Sequence, residues 1–386
     1  MNRIARRAIV LSVFLVVVLS GCARSSSQSV ASGELFPTSA HLVGMSFVDP
    51  NHGVIVAADC PTGANGQASA VCRTIPFTTS NGGQSWLAEG RILLSPRALQ
   101  FVDAQNGWLI GSIGERCGKD ICPNAVMQTT DGGKSWVRAA MASAALSDVR
   151  FVSTMNGWAV GQGCVSATDC SGSLVSTISG GQIWNNQPLP VTGPRIQLAR
   201  IGTADGWAAA IAQGQAVLAR STDGGRTWER LTTPCRGSSV TIDFPAAGEG
   251  WLVCNGDQST PKSSNVLYHS KDAGTSWQTV GPMQVGSDAD PLSAIAAIDF
   301  VSPQVGWAVD SGGHLIRSDD AGQNWTERLN AGEPLVGVQF IGETTGWALG
   351  TRHLWRTVDA GQTWNRASLS DATLDPQKPA APGMSE

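Results

Sequence analysis

The chain has 386 residues, of which 15% are charged, with 45 glycines, 14 tryptophans and a net charge of −4. That weak negative balance argues against nucleic acid as a partner and against an electrostatic hold on anionic membranes. Glycine punctuation among aromatic anchors suits many short strands and tight turns, and a chain this long calls for a search for internal repetition.

At the N-terminus, Arg3, Arg6 and Arg7 precede an uncharged apolar run from Ala8 to Leu19. The run is too short to span a bilayer as a stable helix, and its flanks are those of a signal peptide. Leu19-Ser20-Gly21-Cys22 resembles the lipobox of bacterial lipoproteins. The resemblance implies that Cys22 is diacylated and becomes the new N-terminus. Arg6-Arg7 lacks the rest of a twin-arginine signal, so the general secretory route is expected. Cleavage after residue 21 removes three arginines and no acid, taking the net charge to −7. Residues 22–40 then read as a lipidated cysteine and a Ser-rich tether. No second apolar stretch approaches membrane length, so the membrane is expected to be reached through the lipid alone.

From there the chain repeats. One motif runs Thr79-Ser-Asn-Gly-Gly-Gln-Ser-Trp86, Thr129-Thr-Asp-Gly-Gly-Lys-Ser-Trp136, Thr177-Ile-Ser-Gly-Gly-Gln-Ile-Trp184 and Ser221-Thr-Asp-Gly-Gly-Arg-Thr-Trp228. It returns as Ser270-Lys-Asp-Ala-Gly-Thr-Ser-Trp277, Ser318-Asp-Asp-Ala-Gly-Gln-Asn-Trp325 and Thr357-Val-Asp-Ala-Gly-Gln-Thr-Trp364. Upstream of each stands a second motif, Phe-Val-x-x-x-x-Gly-Trp, with tryptophans 108, 158, 207, 251, 307 and 347; the first repeat has His52-Gly53-Val54 instead. The two motifs hold 13 of the 14 tryptophans, so composition and repeat are one fact. Alternating β-branched and polar residues between Gly, Asn and Asp turns divide each repeat into four short strands. A four-stranded unit cannot cover both its faces, so neighbours must stack. An all-β fold follows, a single seven-bladed β-propeller of four-stranded antiparallel blades; an open solenoid is the alternative, and the count of seven favours the closed ring. Blades are expected near 41–90, 94–140, 144–190, 194–234, 238–281, 292–330 and 334–369, with a disordered tail over 370–386.

The Ser/Thr-x-Asp-x-Gly-x-Ser/Thr-Trp motif resembles the Asp-box, or BNR repeat, of sialidases and other propellers. Paired with Phe-Val-x-x-x-x-Gly-Trp, it resembles the photosystem II stability and assembly factor family across residues 41–369. The chain looks closest to bacterial lipoproteins outside photosynthesis that carry the same repeat. The resemblance implies fold strongly and function weakly, because propellers host unrelated activities.

The box residues Asn81, Asp131, Asp223, Asp272, Asp320 and Asp359 could pass for repeated acids or metal ligands, but a tight turn needs an acceptor for its unpaired N–H groups, and a structural role is expected. Eight cysteines besides Cys22 fall into neighbouring pairs. Four local disulfides are expected, Cys60–Cys72, Cys117–Cys122, Cys164–Cys170 and Cys235–Cys254. No histidine lies inside these loops, which argues against a metal. All four pairs map to the face opposite the box turns, with loops 59–73, 112–124, 162–173 and 254–265, and that stapled face is the expected working surface.

On the innermost strands, Ser46, Gln100, Arg150, Ala199, Asp243, Asp299 and Gln339 form a mostly polar row, and Arg200 replaces the recurring Phe in blade four. Arg150, Arg200, Asp243 and Asp299 are the candidate binding residues. The row is read either as a ligand pocket or as a solvated channel lined by mutually paired charges. Catalysis is not expected, nor is a cofactor. A sialidase needs a tyrosine nucleophile and three arginines; the lone Tyr268 sits on a third strand, and Pro194-Arg195-Ile196-Gln197 departs from the arginine motif. Another glycosidase would have Asp243 and Asp299 as its carboxylates. The reading is a non-catalytic extracytoplasmic scaffold whose partner is another extracytoplasmic or membrane protein, with a glycan as the alternative. Cys22→Ala is expected to leave the protein unlabelled by radioactive fatty acid and in the soluble fraction after membrane sedimentation.

Overall fold

A computed structural model describes residues 40–60, 72–113, 124–142, 145–164, 170–193, 196–199, 202, 204–259, 264–285, 292–367, 369 and 373–374. The signal segment, Cys22 and the tether lie outside the described residues, as do Cys117, Cys122, Arg200 and most of the stapled-face loops. No helix among the described residues is long and apolar enough to cross a membrane.

Seven antiparallel sheets make a β-propeller. Its innermost strands are Ala40–Phe47, Ser95–Phe101, Ala145–Phe151, Gln197–Ala199, Ser239–Ala246, Ile295–Phe300 and Leu335–Ile341. Six sheets have four strands in sequence order. The sheet of blade one has six, because Leu87–Ala88 and Ile92–Leu93 both pair with Arg73–Thr79, and Thr373–Leu374 runs parallel to Leu87–Ala88. The last pairing corrects the expected disordered tail: part of it adds a strand to the outer edge of the first blade. The tail's polar, Pro-rich composition gave no strand signal, since a two-residue strand is held by backbone pairing alone.

The two repeated motifs meet in space. Phe47, Phe101, Phe151, Phe300 and Phe340 each lie at or one residue from the end of an innermost strand, directly across from the Gly of Gly-Trp or its equivalent. A methyl group on that glycine would stand 2.2 Å from the ring of Phe47 at Gly53, 2.6 Å at Gly107 and 2.2 Å at Gly250. The missing Cβ lets the ring lie flat on the strand. There it receives the tryptophan of the preceding blade: Trp108 stacks on Phe151 at 3.5 Å, Trp207 on Phe244 at 4.1 Å, Trp251 on Phe300 at 4.0 Å and Trp307 on Phe340 at 4.2 Å. Trp347 stacks on Phe47 at 3.7 Å and closes the ring between blades seven and one. The box tryptophan of the same blade meets each ring edge-on near 6 Å, as Trp86 does with Phe47 and Trp364 with Phe340. Such pairs add about 0.5–1.5 kcal/mol each beyond the area they bury.

Gly250→Ala or Gly107→Ala is expected to cost about 1–3 kcal/mol by forcing the phenylalanine off its seat, measured by urea unfolding. Ala321, at φ 61°, holds a left-handed turn position that is glycine in the first four boxes and alanine in the last three. Relief of about 1–2 kcal/mol of strain outweighs the 0.5–1 kcal/mol entropy cost of glycine, so Ala321→Gly is expected to raise stability slightly.

Candidate functional site

Each Asp-box is a closed turn. In blade four Ser221 Oγ donates to Asp223 Oδ1 and accepts the Gly225 N–H, while Asp223 takes the Thr227 N–H on Oδ1 and the Thr227 hydroxyl on Oδ2. Asn81 keeps the backbone acceptor role toward Ser85, and Ser179 does so toward Ile183 through its hydroxyl. Asp131, Asp272, Asp320 and Asp359 each take the N–H four residues on. The Thr227 hydroxyl and amide hold the Asp223 carboxyl down to about 2, and Thr363 does the same for Asp359. The fourth box residue ties the turn to the hairpin between strands one and two of its own blade. Its N–H reaches Asn51, Gln105, Met155, Ala204, Gly248, Gln304 or Thr344 in blades one to seven. At three junctions its carbonyl also accepts the indole N–H of the preceding blade, Trp347 to Gly82, Trp108 to Gly180 and Trp207 to Ala273.

The polar inner row bonds one blade to the next, a role that neither expected reading included. Ser46 accepts the Phe101 N–H, Gln100 takes both the N–H and the carbonyl of Phe151, and Gln339 does the same with Phe47. Asp243 accepts the Phe300 N–H at 2.7 Å and Asp299 the Phe340 N–H at 2.6 Å. Each side chain thus hydrogen-bonds the innermost strand of the next blade. At the two junctions of blade four the contact moves two residues along the strand: Asp148 accepts the Leu198 N–H and Gln197 the Ile242 N–H. Arg150 turns back to its own strand, at 3.1 Å from Asp148 and 3.0 Å from the Val149 carbonyl. Arg150 is thereby drawn to Asp148, while Asp243 and Asp299 lie near enough for the charge of one to act on the other.

Two disulfides lie among the described residues, Cys60–Cys72 and Cys235–Cys254. Cys235 belongs to the outer strand Glu229–Arg236 of blade four and Cys254 to the second strand Glu249–Asn255 of blade five. The pair is near in sequence yet ties two blades, at a junction where Ala199 offers no hydrogen bond from the inner row. The backbones of Cys164 and Cys170 stand opposite one another in their ladder. Tyr268 is buried and donates to Asp257 at 2.6 Å; burial, then that hydrogen bond, pushes its hydroxyl up to about 12, the wrong direction for a nucleophile.

One feature went unread in the sequence as a site, although its signal was there. Val54 stands where blades two to seven carry tryptophan, and between blades one and two lies a cavity of about 520 Å³ lined by both motifs.

Burial, and next the charge of Asp243, pushes the Asp299 carboxyl up to about 7 from its ordinary 3.8. The folded state thus holds this proton more tightly than the unfolded chain does. The stabilisation is full below about 3.8 and is lost as pH rises through about 7. The box carboxylates act in the opposite sense, contributing above 3.8 and losing it as pH falls toward about 2. Urea unfolding across pH 4–8 is expected to show stability declining in the native chain. In Asp299→Asn, which keeps an oxygen for Phe340, the decline should largely disappear.

Comparison with known proteins agrees with this architecture. Residues 283–383 match the family model described as photosynthesis system II assembly factor YCF48. A photosystem II assembly lipoprotein Ycf48 from Synechococcus sp. (strain CC9902) is 25% identical over 150 residues, which span 38% of this chain and 41% of that protein. Among solved structures, one titled YCF48 bound to D1 peptide aligns with a TM-score of 0.59 at 18% identity, covering 84% of this chain and 95% of the other. YCF48 from Cyanidioschyzon merolae aligns with a TM-score of 0.56 at 19% identity, covering 85% and 98%. An acylaminoacyl peptidase complex aligns with a TM-score of 0.56 at 9% identity, covering 85% of this chain and 52% of that one, a likeness of fold alone. The chain is a seven-bladed BNR propeller similar to the photosystem II assembly factors.

Proposed function

We propose that the chain is a non-catalytic scaffold that holds a segment of a membrane protein outside the cytoplasm. It is tethered through a lipid on Cys22 to the outer face of the cytoplasmic membrane or to the outer membrane. The observation that carries the reading is where the polar groups go. The inner-row carboxylates Asp243 and Asp299, which a glycosidase would need, accept backbone amides of the next blade. Tyr268, which a sialidase-like reaction would need, is held by Asp257. Catalysis needs such groups turned toward a substrate; here they hold the frame.

Support for a protein partner comes from likeness: a propeller of the same architecture is titled as bound to a D1 peptide. The weakly acidic body and the lipobox-like Leu19-Ser20-Gly21-Cys22 fit a tethered scaffold. No partner is carried over by name, because the sequence match spans only part of each chain.

Two measurements test this. Cross-linking intact cells that carry the tagged chain, then sequencing the captured peptides, is expected to return a discrete membrane protein whose capture is lost when the ring is unfolded by Gly250→Ala combined with Gly107→Ala. Incubation with fluorogenic glycosides, sialosides included, is expected to give no turnover. Hydrolysis that disappears in Asp299→Asn or Tyr268→Phe would overturn the proposal.

A further inference from the structure

The blade junctions share one plan, so a departure from it marks a place that the fold alone does not explain. In blades two to seven the Gly-Trp tryptophan reaches toward the next blade, and five described junctions show it stacked on the neighbouring phenylalanine. Blade one has Val54 at that position. Phe101, the phenylalanine it faces, meets Trp136 of its own blade edge-on at 5.9 Å. The cavity beside it is lined by Val54, Thr78, Trp86, Phe101, Gly132 and Lys134, among others. Its volume of about 520 Å³ falls within the roughly 300–1,000 Å³ of small-molecule sites. Much of the receiving side of the plan is in place, with the Thr78 and Val54 methyl groups lying against Gly133 where an indole lies at other junctions, so that an incoming ring must displace them to reach Phe101. Gly107 stands across from Phe101, and the Gly132 N–H is bound to Gln105 as in every other box. Gly132 is the counterpart of Gly82, Gly180 and Ala273, whose carbonyls accept an indole N–H.

A second departure lies on the same rim, one blade further on. Box three carries Ile178 and Ile183, exposed by 77% and 65%, and its adjoining hairpin carries Met155, exposed by 52%. At the position of Ile183 every other box has Ser, Thr or Asn, polar residues that bond to the box acid or amide. The Met155 carbonyl accepts the Gly180 N–H, so the three apolar side chains belong to one locked turn pair. A large exposed apolar group on a rigid turn is a contact surface in search of a partner.

We propose that the junction of blades one and two binds an aromatic side chain, an indole above all, presented by a protein partner. The apolar residues beside that aromatic then rest on Met155, Ile178 and Ile183. This rests on the scaffold reading for the partner's class, and it moves the working surface from the stapled face to the Asp-box face. The ring supplies the template itself: an indole stacked on Phe101, its N–H on the Gly132 carbonyl, reproduces the junctions at Phe151, Phe244 and Phe47.

The test uses the full processed chain and N-acetyl-tryptophanamide, with N-acetyl-leucinamide as the aliphatic control. Saturation-transfer NMR is expected to show the indole protons in contact with the protein, at least fivefold more strongly than the leucine methyls. A photoreactive tryptophan analogue is expected to label peptides containing Val54, Thr78 or Phe101. Val54→Trp, which restores the plan, is expected to raise the melting temperature and to cut the probe signal at least fivefold. Val54→Leu, a smaller change that keeps the fold, is expected to cut it about twofold. Equal response to both probes, labelling elsewhere, or an unchanged signal in a folded Val54→Trp chain would overturn the proposal. Partner capture separates the two readings: capture that survives both Val54→Trp and Ile178→Asp leaves the scaffold standing and removes this site. Probe binding without any partner does the reverse.

Discussion

A phenylalanine lying flat against a glycine is the contact on which the ring depends. The ring of Phe244 occupies the space a side chain at Gly250 would take, and this leaves its outer face open to Trp207 from the blade before. One aromatic thereby belongs to two sheets. Nothing within a blade could bury that face, so a blade by itself is incomplete and the repeat must continue until it closes. Blade seven meets blade one through Trp347 and Phe47 by the same geometry, so closure uses the interaction that builds every other junction.

Around that stack the polar groups fall into a hierarchy. The Asp-box satisfies its own amides, then docks its fourth residue on the inner hairpin of its own blade, and at three junctions lends that residue's carbonyl to an indole from the preceding sheet. Closer to the axis, Ser, Gln and Asp side chains bond the strand beside them. Blade four alters the register of these bonds by two residues on both sides. The disulfide between Cys235 and Cys254 reinforces one of its two junctions covalently. Two carboxylates in the row also bring a cost: Asp243 and Asp299 are near enough for one charge to disfavour the other.

Much of this was legible in the residues. The spacing of the tryptophans gave seven blades, and the turn chemistry of Ser221, Asp223 and Gly225 gave a structural box. What a single sequence does not contain is the partner across a junction. A polar residue recurring one place before Phe looks the same whether it faces water, a ligand or a backbone amide 57 residues away, as with Asp243 and Phe300. Periodicity says that a position matters, and only the stacking of sheets says to whom. For the same reason Val54 read as a variant of the motif, when its meaning depends on Phe101 in the neighbouring blade. Thr373–Leu374 escaped notice because backbone pairing requires no particular side chain.

That short parallel strand has a consequence for the rim of blade one. An outer strand at the rim of a blade presents unpaired backbone groups, and exposed edges of this kind recruit other chains unless they are charged or covered. Blades four, six and seven carry Glu229 with Arg230, Glu327 with Arg328, and Arg366 at their rims, all exposed. Leu87–Ala88 of blade one has no such charge, and it is the rim along which Thr373–Leu374 runs. Thr373–Leu374 thus takes up the backbone pairing that Leu87–Ala88 would otherwise offer, and the sheet of blade one ends on a strand from the far end of the chain.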